Sequence, residues 1–343
     1  MPHKAVTIHD VAREAEVSYA TVSRVVNNKD SIVPEKRARV QAAMERLGYV
    51  PNLQARKLAG GRAQVVGLVL HDLWSSYVVE ILRGIDEELA AAEYDLMLYT
   101  SRRRAANESA HVTALTQGLA EGLLLLLPHG LDAYVERLQQ RHFPFVVIDQ
   151  APAQGNVPAV HATNRQGACD AVRHLLQLGH RRIGFITGDL AVDSARTRLE
   201  GYRAALSESG VHVDPELVVE GDFLAPRALV AARELLQLRD PPTAIFASND
   251  VSAFSVLDAA HERGLRVPED LSVVGFDDIP QAAYVRPMLT TVRQPLEDMG
   301  RVAARMLLSA MRPPHAVRSG VELPTHLVVR GSTCAPRAGA DRN

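Results

Sequence analysis

The chain has 343 residues, of which 47% are hydrophobic and 23% charged, a composition typical of a soluble globular protein with room for two or three domains. Its two cysteines, Cys169 and Cys334, form no C-x-x-C pair, which excludes a disulfide framework and fits a reduced cytosolic protein. The polar N-terminus and the short longest apolar run, residues 122–128, argue against a signal peptide and a membrane span, so we expect a cytoplasmic protein.

The net charge of −2 hides an uneven distribution along the chain. Residues 1–62 hold 11 Lys and Arg against 6 Asp and Glu, a net charge of +5, and all four lysines lie there. The other 281 residues carry −7. A small basic head before a large acidic body is typical of a polyanion-binding module attached to a second module.

Two short helices are predicted at the start of the head. Residues 7–15 form the first, where Thr7 caps the N-terminus and Asp10 completes a capping box. Ser18 caps the second, residues 19–26, which has one apolar face and one face with hydroxyls and an arginine. This layout indicates a helix-turn-helix whose second helix enters the major groove of DNA.

A third helix is predicted at residues 34–47, with apolar residues at helical spacing to cover the first two. It has no hydroxyl at its N-cap, and Pro34 in its first position is a partial substitute. A joint of residues 51–62 follows, in which only about two turns of helix fit before Gly60 and Gly61. So short a helix does not persist alone in water, so something outside it must decide whether it forms.

Beyond residue 62, buried strands alternate with helical segments. The first strand is followed by a helix marked by Val78, Ile81, Leu82, Ile85 and Leu89. The predicted strands are residues 65–70, 95–99, 122–127, 145–148, 182–187, 244–247 and 272–276. Such alternation requires parallel sheets with helices on both faces, and ligands then bind at the carboxyl ends of the strands.

Motifs throughout the chain resemble the lactose-repressor/galactose-repressor family of transcription regulators. In the head they are TIHDVA from Thr7, VSYATVSRVVN from Val17, LGYVPN from Leu47 and ARKL from Ala55. In the body they are LGHRRI from Leu178, R-x-x-GY from Arg198, SND from Ser248, VGFDD from Val274 and P-x-LTTV from Pro287. Their order and spacing are those of the family, so the resemblance is specific and covers the whole chain.

The resemblance implies which head residues contact DNA. Those that would face base edges are Tyr19, Ala20 and Arg24, and those that would contact phosphates are Thr7, Ser18, Thr21, Ser23 and Asn27. The chemistry agrees, because an arginine can bind guanine O6 and N7 bidentately and hydroxyls suit phosphate oxygens. The alternative is that Thr21 and Ser23 only complete a solvated helix face.

The resemblance also implies that the joint is a hinge helix that pairs with its copy in a second subunit. Its predicted DNA contacts are Asn52, Ala55 and Leu58, and Leu58 would insert between base steps of the minor groove. The alternative is that Leu58 makes ordinary linker packing. A leucine in so polar a segment favours the insertion.

For the body, the resemblance implies an α/β fold with two lobes, like periplasmic sugar-binding proteins, each a doubly wound parallel sheet. The expected domains are a head at 1–50, a hinge at 51–62, a body at 63–335 and a tail at 336–343. Lobe 1 is expected at about 63–161 and 291–323, and lobe 2 at about 162–290 and 324–335. The expected effector contacts are Asp149, Arg198, Asn249, Asp277 and Gln294. Trp74 and Tyr77 are candidates for an aromatic platform, although lobe packing explains Trp74 equally well.

We considered two other functions. Neighbouring carboxylates such as Asp277 and Asp278 could indicate an enzyme, but adjacent residues point in different directions, and no G-x-G-x-x-G, P-loop or H-E-x-x-H motif is present. No cofactor or metal is therefore expected. A sugar receptor without a DNA function shares the fold, but the basic head argues against it.

The sequence thus predicts a DNA-binding transcriptional regulator, most simply a repressor, that a sugar or sugar derivative controls. Effector binding would change the angle between the lobes and so the pairing of the hinges. The two-fold symmetry of a homodimer predicts a pseudo-palindromic operator. Residues after Arg330 have no apolar heptads, so a coiled-coil tetramer is not expected, and neither is a membrane partner.

Overall fold

The computed structural model describes residues 6–26, 32–49, 64–73, 75–101, 104–128, 131–150, 157–312 and 320–337. Five of the predicted site residues, Asn27, Asn52, Ala55, Leu58 and Trp74, lie outside the described residues. The predicted hinge helix lies outside them as well.

The head has the three predicted helices, α1 (Ile8–Glu14), α2 (Tyr19–Val26) and α3 (Pro34–Leu47). The capping box at α1 is confirmed, since the Thr7 hydroxyl accepts from the Asp10 amide and the Asp10 carboxylate accepts from the Thr7 amide. As predicted, α3 has no side-chain cap and begins with proline. A small apolar core holds the helices together, formed by Val11, Ala12, Ala15, Val22, Val25, Val40 and Ala43.

The body alternates strands and helices. Its strands are β1 (Val65–Leu70), β2 (Asp95–Thr100), β3 (Gly122–Leu126), β4 (Phe145–Ile148), β5 (Ala159–Ala162), β6 (Ile183–Ile186), β7 (Val218–Val219), β8 (Ala244–Ala247), β9 (Ser272–Asp277), β10 (Thr290–Arg293), β11 (Val321–Leu323) and β12 (His326–Val328). Its helices are α4 (Ser76–Ala91), α5 (Ala105–Ala114), α6 (Val135–Gln140), α7 (Asn164–Gln177), α8 (Asp193–Glu208), α9 (Ala225–Gln237), α10 (Asp250–Glu262) and α11 (Leu296–Ala310). All seven predicted strands are present, with ends within one residue of the prediction.

The strands form two six-stranded sheets, each the centre of one lobe. The order is β11-β5-β4-β3-β1-β2 in lobe 1 and β12-β10-β9-β8-β6-β7 in lobe 2. Every pairing is parallel except that of β10 with β12. Helices cover both faces of each sheet, and buried apolar clusters fill the space between helices and sheet.

The chain crosses between the lobes three times, after β5, after β10 and after β11. Residues 291–293, which were expected to begin the second part of lobe 1, pair with β9 and lie in the sheet of lobe 2. Ala162, expected in lobe 2, completes β5 in lobe 1. Both boundaries move because a strand continues until its ladder of backbone hydrogen bonds ends, and the sequence does not mark that point.

No helix in the described part of the chain is long and apolar enough to cross a membrane.

Candidate functional site

Helix α2 presents its predicted DNA-reading face to solvent. Val22 and Val25 are buried in the head core, whereas Tyr19, Ala20 and Arg24 are exposed, Tyr19 by 45%. Among the predicted phosphate contacts, Thr7 and Ser18 are exposed, and Thr21 and Ser23 are half-buried. The structure therefore leaves the three base-reading candidates accessible on one face.

Local contacts hold α2 in place. The Ser18 hydroxyl accepts from the Thr21 amide at 3.2 Å and lies 2.9 Å from the Thr21 hydroxyl. The Tyr19 ring stacks on the His9 ring with centroids 5.1 Å apart. The Thr21 hydroxyl thus bonds within the turn that starts α2, and its contact with phosphate stays a prediction.

Two acidic side chains of the head are paired with arginines of α3. Glu14 lies 3.2 Å from Arg46 of α3, and Glu16 lies 3.2 Å from Arg39. Arg39 also donates to the carbonyl of Ala15 at 2.7 Å, which ties α3 to the turn after α1. These pairs reduce the negative charge around α2, where Arg24 is exposed.

A cavity of about 930 Å³ lies between the lobes, at the carboxyl ends of the strands. Five of the described effector candidates line it, namely Tyr77, Asp149, Arg198, Asn249 and Asp277. Gln294 does not line it, but its side chain donates to the Asp277 carboxylate at 2.8 Å. Two of the five come from lobe 1 and three from lobe 2, so a molecule held by both groups touches both lobes.

The fold positions these residues at the ends of strands and the starts of helices. Asp149 follows β4 and Asp277 ends β9, and both have left-handed backbones with φ of 57° and 112°. Asn249 follows β8 and caps α10, where its side chain accepts from the Ser252 amide. Positive φ at two non-glycine residues facing one cavity is the kind of local strain that clusters at ligand sites.

Asp149 is 2% exposed and accepts a hydrogen bond from the Tyr77 hydroxyl at 2.7 Å. Its other carboxylate oxygen, Oδ1, is buried, and no described residue donates to it. Burial raises the pKa of Asp149, an effect that the Arg198 guanidinium, the Tyr77 hydroxyl and the Asn164 side chain reduce. A ligand that brings a donor to Oδ1 would satisfy this carboxylate.

Arg198 is the buried cation of the cavity, at 2% exposure. Its Nε donates to the Asn164 side chain at 2.8 Å and its Nη1 to the Ser248 carbonyl at 2.6 Å. Nη1 lies 3.6 Å from Oδ1 of Asp277, and the guanidinium lies 3.8 Å above the Phe276 ring. Arg198 is therefore fixed from several sides before a ligand arrives.

Burial raises the pKa of Asp277 to about 7, against the opposing effects of Arg198 and Gln294. The nearby Asp250 carboxyl also has a pKa raised well above its usual range, because it is fully buried and close to Asp277. Asp250 accepts from the Thr291 hydroxyl at 2.5 Å and from the Ile279 amide at 2.9 Å. Two buried carboxyls therefore have raised pKa values: Asp277 lines the cavity, and Asp250 lies behind the lining residues.

Phe223 is a lining residue that the sequence did not indicate. Its backbone is left-handed with φ of 68°, and its carbonyl accepts from the Asn249 side chain at 3.1 Å. A Cβ at Gly188 would lie 2.0 Å from the ring, so only glycine admits the ring there. The strand before it, β7, has only two residues and is too short to be recognised from the sequence. Asp189 is another lining residue that the sequence analysis did not name. It lies just after the predicted strand at 182–187, and that position could have indicated it.

The cavity combines fixed donors and acceptors with apolar wall. Carboxylates, an amide and a guanidinium can bind several hydroxyls of one ring, and Phe223 offers an aromatic face. Among the described residues, no group of three or more His, Cys, Asp or Glu is placed to hold a metal ion. The arrangement is that of a binding site for a polyhydroxylated small molecule.

A helix-turn-helix head with an exposed second helix, joined to a two-lobed body with an interlobe cavity, defines a class of DNA-binding regulators controlled by a small molecule. Comparison with known proteins agrees. Residues 7–52 match the family of bacterial regulatory proteins named after lacI, and residues 172–333 match the periplasmic binding protein-like domain. The chain belongs to the lacI family of bacterial transcription regulators.

Two curated relatives are similar over nearly their whole length. Catabolite control protein A of Priestia megaterium is 37% identical over 330 residues, which cover 96% of this chain and 99% of that protein. The repressor CytR of Escherichia coli K12 is 36% identical over 335 residues, covering 96% and 97%. The second of these relatives is named as a transcriptional repressor.

Two solved structures are similar over nearly the whole chain. The lac repressor dimer bound to operator and the anti-inducer ONPF has a TM-score of 0.85 at 31% identity, covering 97% of this chain and 100% of that one. The complex of the regulator CelR with cellobiose has a TM-score of 0.74 at 33% identity, covering 95% and 99%. The two-lobed fold and the head expected from the sequence are thereby confirmed.

Proposed function

We propose that the protein is a repressor that binds a pseudo-palindromic operator as a homodimer and responds to a sugar-like effector in the interlobe cavity. The observation that carries this proposal is that Tyr77 and Asp149 of lobe 1 and Arg198, Asn249 and Asp277 of lobe 2 line one cavity. Any ligand that binds both groups binds one lobe arrangement better than another. That difference is what an effector needs to shift an equilibrium.

The head supports the operator part of the proposal. Arg24 and Ala20 are exposed on α2, where a guanidinium suits guanine and a methyl group suits thymine. The proposed phosphate contacts are Thr7, Ser18, Thr21, Ser23 and Asn27, and the proposed hinge contacts are Asn52, Ala55 and Leu58. A receptor without a DNA function, the second candidate, has no use for such a head, and an enzyme has no use for it either. A DNA-binding role also supports a location in the cytoplasm.

The comparison structures support a carbohydrate effector. CelR was solved with cellobiose, and a lacI-family regulator from Enterococcus faecium was solved with ribose. The proposed contacts are Tyr77, Asp149, Arg198, Asn249 and Asp277, with Gln294 behind them and Trp74 as a further candidate.

Exposed apolar side chains support the homodimer. Tyr284 is 77% exposed, and Met288 and Val329 are exposed on the same lobe, lobe 2. On lobe 1, Val79 of α4 and Leu98 of β2 are exposed. These exposed apolar side chains on both lobes are available for contacts with a second copy of the chain.

The operator part is tested by selecting a binding sequence from a random DNA library with the wild-type protein. Arg24→Ala should then lose about 1 to 3 kcal/mol of discrimination at one base pair in each half-site. A matched control is Arg13→Ala, since Arg13 is exposed on α1 outside the reading face. Equal weakening on all sequences would make Arg24 a phosphate contact, and the absence of any selected sequence would refute the proposal.

The effector part is tested by thermal shift against a panel of mono- and disaccharides and sugar phosphates. A binding sugar should raise the melting temperature of the wild-type protein and not that of Asp277→Asn, which loses the charge of the cavity carboxylate. The control is Asp258→Asn, a carboxylate on α10 that does not line the cavity. No stabilisation by any carbohydrate would overturn the sugar class and leave the operator test unaffected.

A further inference from the structure

Residues 277–281, here called the interlobe segment, run from the effector cavity to the surface of lobe 2 that packs against lobe 1. Asp277 lines the cavity at the end of β9 in lobe 2. Two residues later, Ile279 is 3% exposed and belongs to a buried apolar cluster. Among the described residues, the other buried members of this cluster all come from lobe 1. Two residues of chain span at most about 7 Å, so a cavity contact and a lobe 1 contact are directly linked.

Further contacts fix the path of the segment. Asp277 and the next residue, Asp278, both have left-handed backbones, with φ of 112° and 57°. The buried Asp278 carboxylate binds the Nε of Arg293 at 2.6 Å and the Nη2 of Arg330 at 2.7 Å. The Ile279 amide donates to Asp250 at 2.9 Å. The three partners Arg293, Arg330 and Asp250 all belong to lobe 2, so the segment is held to lobe 2 while the Ile279 side chain packs on lobe 1.

The segment also binds lobe 1 at its far end. The Gln281 side chain donates to the hydroxyl of Ser76 at 2.6 Å, and Ser76 directly precedes the cavity residue Tyr77 on α4. Val251 and Phe254 of α10, both half-buried, pack against the same lobe 1 cluster as Ile279. This contact between the lobes, as far as the described residues show it, is an apolar patch with the hydrogen bond between Gln281 and Ser76 beside it.

We propose that the interlobe segment transmits effector binding to lobe 1, with Ile279 and Gln281 as the residues that couple the two lobes. This inference rests on the proposed function, because it concerns how the same cavity controls the DNA-binding lobe arrangement. The packed Ile279 and the bonded Gln281 belong to the described lobe arrangement, which the proposal assigns to the operator-binding state. A ligand that repositions Asp277 moves both contacts, and by linkage the loss of these contacts lowers operator affinity.

The first test measures operator affinity in the full-length protein, with the operator that the wild-type protein selects. Ile279→Ala should weaken specific binding at least tenfold without changing affinity for unrelated DNA, and Gln281→Ala should weaken it less. The matched controls are Ile245→Ala, in the buried core of lobe 2, and Gln166→Ala, which removes an exposed side-chain bond within α7. If Ile279→Ala does not fold, Ile279→Val against Ile245→Val gives the same comparison.

The second test measures the lobe arrangement without effector or DNA. Spin labels at Glu93→Cys in lobe 1 and Arg263→Cys in lobe 2, both exposed, report the distance between the lobes once Cys169 and Cys334 are replaced by Ala. The distance distribution should shift or broaden in Ile279→Ala and Gln281→Ala and stay unchanged in the two controls. Unchanged distances and operator affinity in both interlobe variants would overturn the proposal. If the wild-type protein selects no operator, the proposed function fails, and the distances alone still decide the role of the segment.

Discussion

Tyr77→Phe removes one oxygen atom and tests how the cavity holds Asp149. The lost hydroxyl donates to Asp149 at 2.7 Å, and no described residue donates to the other oxygen of this buried carboxylate. The variant therefore leaves the buried carboxylate without its hydrogen bond from Tyr77, so that only Asn164, Arg198 and His161 still favour its charged form. A hydrogen bond to a charged group contributes about 1.5 to 3 kcal/mol, so we expect a loss of about 2 kcal/mol in the free energy of unfolding at pH 8. For a body of this size that is a fall of about 4 to 8 °C in melting temperature.

The pH dependence follows from the same contact. Burial already raises the pKa of Asp149 above its value in the unfolded chain, and the Tyr77 hydroxyl opposes that rise. Without the hydroxyl the folded-state pKa rises further. A carboxyl with a raised folded pKa contributes stability at low pH that is lost as the pH rises through that value. The difference between Tyr77→Phe and wild type should therefore be larger at pH 8 than at pH 5.

Urea unfolding at both pH values measures the effect, and Tyr134→Phe is a matched control. Tyr134 donates to Glu108 at 2.5 Å in lobe 1, and both side chains are buried away from the cavity. Tyr134→Phe should also destabilise the protein but leave the affinity for the sugar found by thermal shift unchanged, whereas Tyr77→Phe should lower both.

Asp149→Asn added to Tyr77→Phe removes the buried charge and should restore part of the stability at pH 8. If the double variant is no more stable than Tyr77→Phe, and the loss is equal at pH 5 and pH 8, the hydrogen bond does not stabilise a buried carboxylate and the reasoning is wrong.

Three further predictions concern other residues. Asp250→Asn should flatten the fall of stability with rising pH, because it removes a buried carboxyl with a raised pKa. The amide oxygen can still accept from the Ile279 amide, and its NH2 group can donate to the Thr291 hydroxyl, which then accepts instead of donating. Urea unfolding at pH 5 and pH 8 checks this, and an unchanged slope would contradict it. Gly188→Ala should lower sugar affinity at least tenfold, as measured by calorimetry, because its Cβ would displace the Phe223 ring. The control Gly331→Ala, whose Cβ would have no neighbour closer than 3.6 Å, should leave the affinity unchanged. Equal affinities in the two variants would exclude the ring from the site. Thr7→Ala should lower the local stability of α1 by about 1 kcal/mol, because it removes the N-cap hydroxyl. Hydrogen exchange of the α1 amides should become faster, and Thr7→Ser should restore the slower exchange. No change in exchange would mean that the capping box does not stabilise α1.

The sequence alone determined the head and most strands of the body. Capping residues, helical spacing and Pro34 predicted α1, α2 and α3 almost to the residue, because a short helix is set by its own ends and its one apolar face. Runs such as 65–70 and 244–247 predicted central strands, because strands covered on both faces are continuously apolar. The position of Asp149, Asn249 and Asp277 at strand ends was sufficient to predict their shared cavity.

The tertiary structure decided what depends on contacts between distant parts of the chain. The strands β5, β7, β10, β11 and β12 are two to four residues long and exist because a neighbouring strand completes their hydrogen bonds, which no local pattern records. Gln294 appeared in the sequence as a cavity residue, but in the structure it does not line the cavity and supports Asp277. Phe223 reaches the cavity only because Gly188 leaves room for its ring. Ile279 is an ordinary apolar residue in the sequence, and only the packing of lobe 2 against lobe 1 makes it a contact between the lobes.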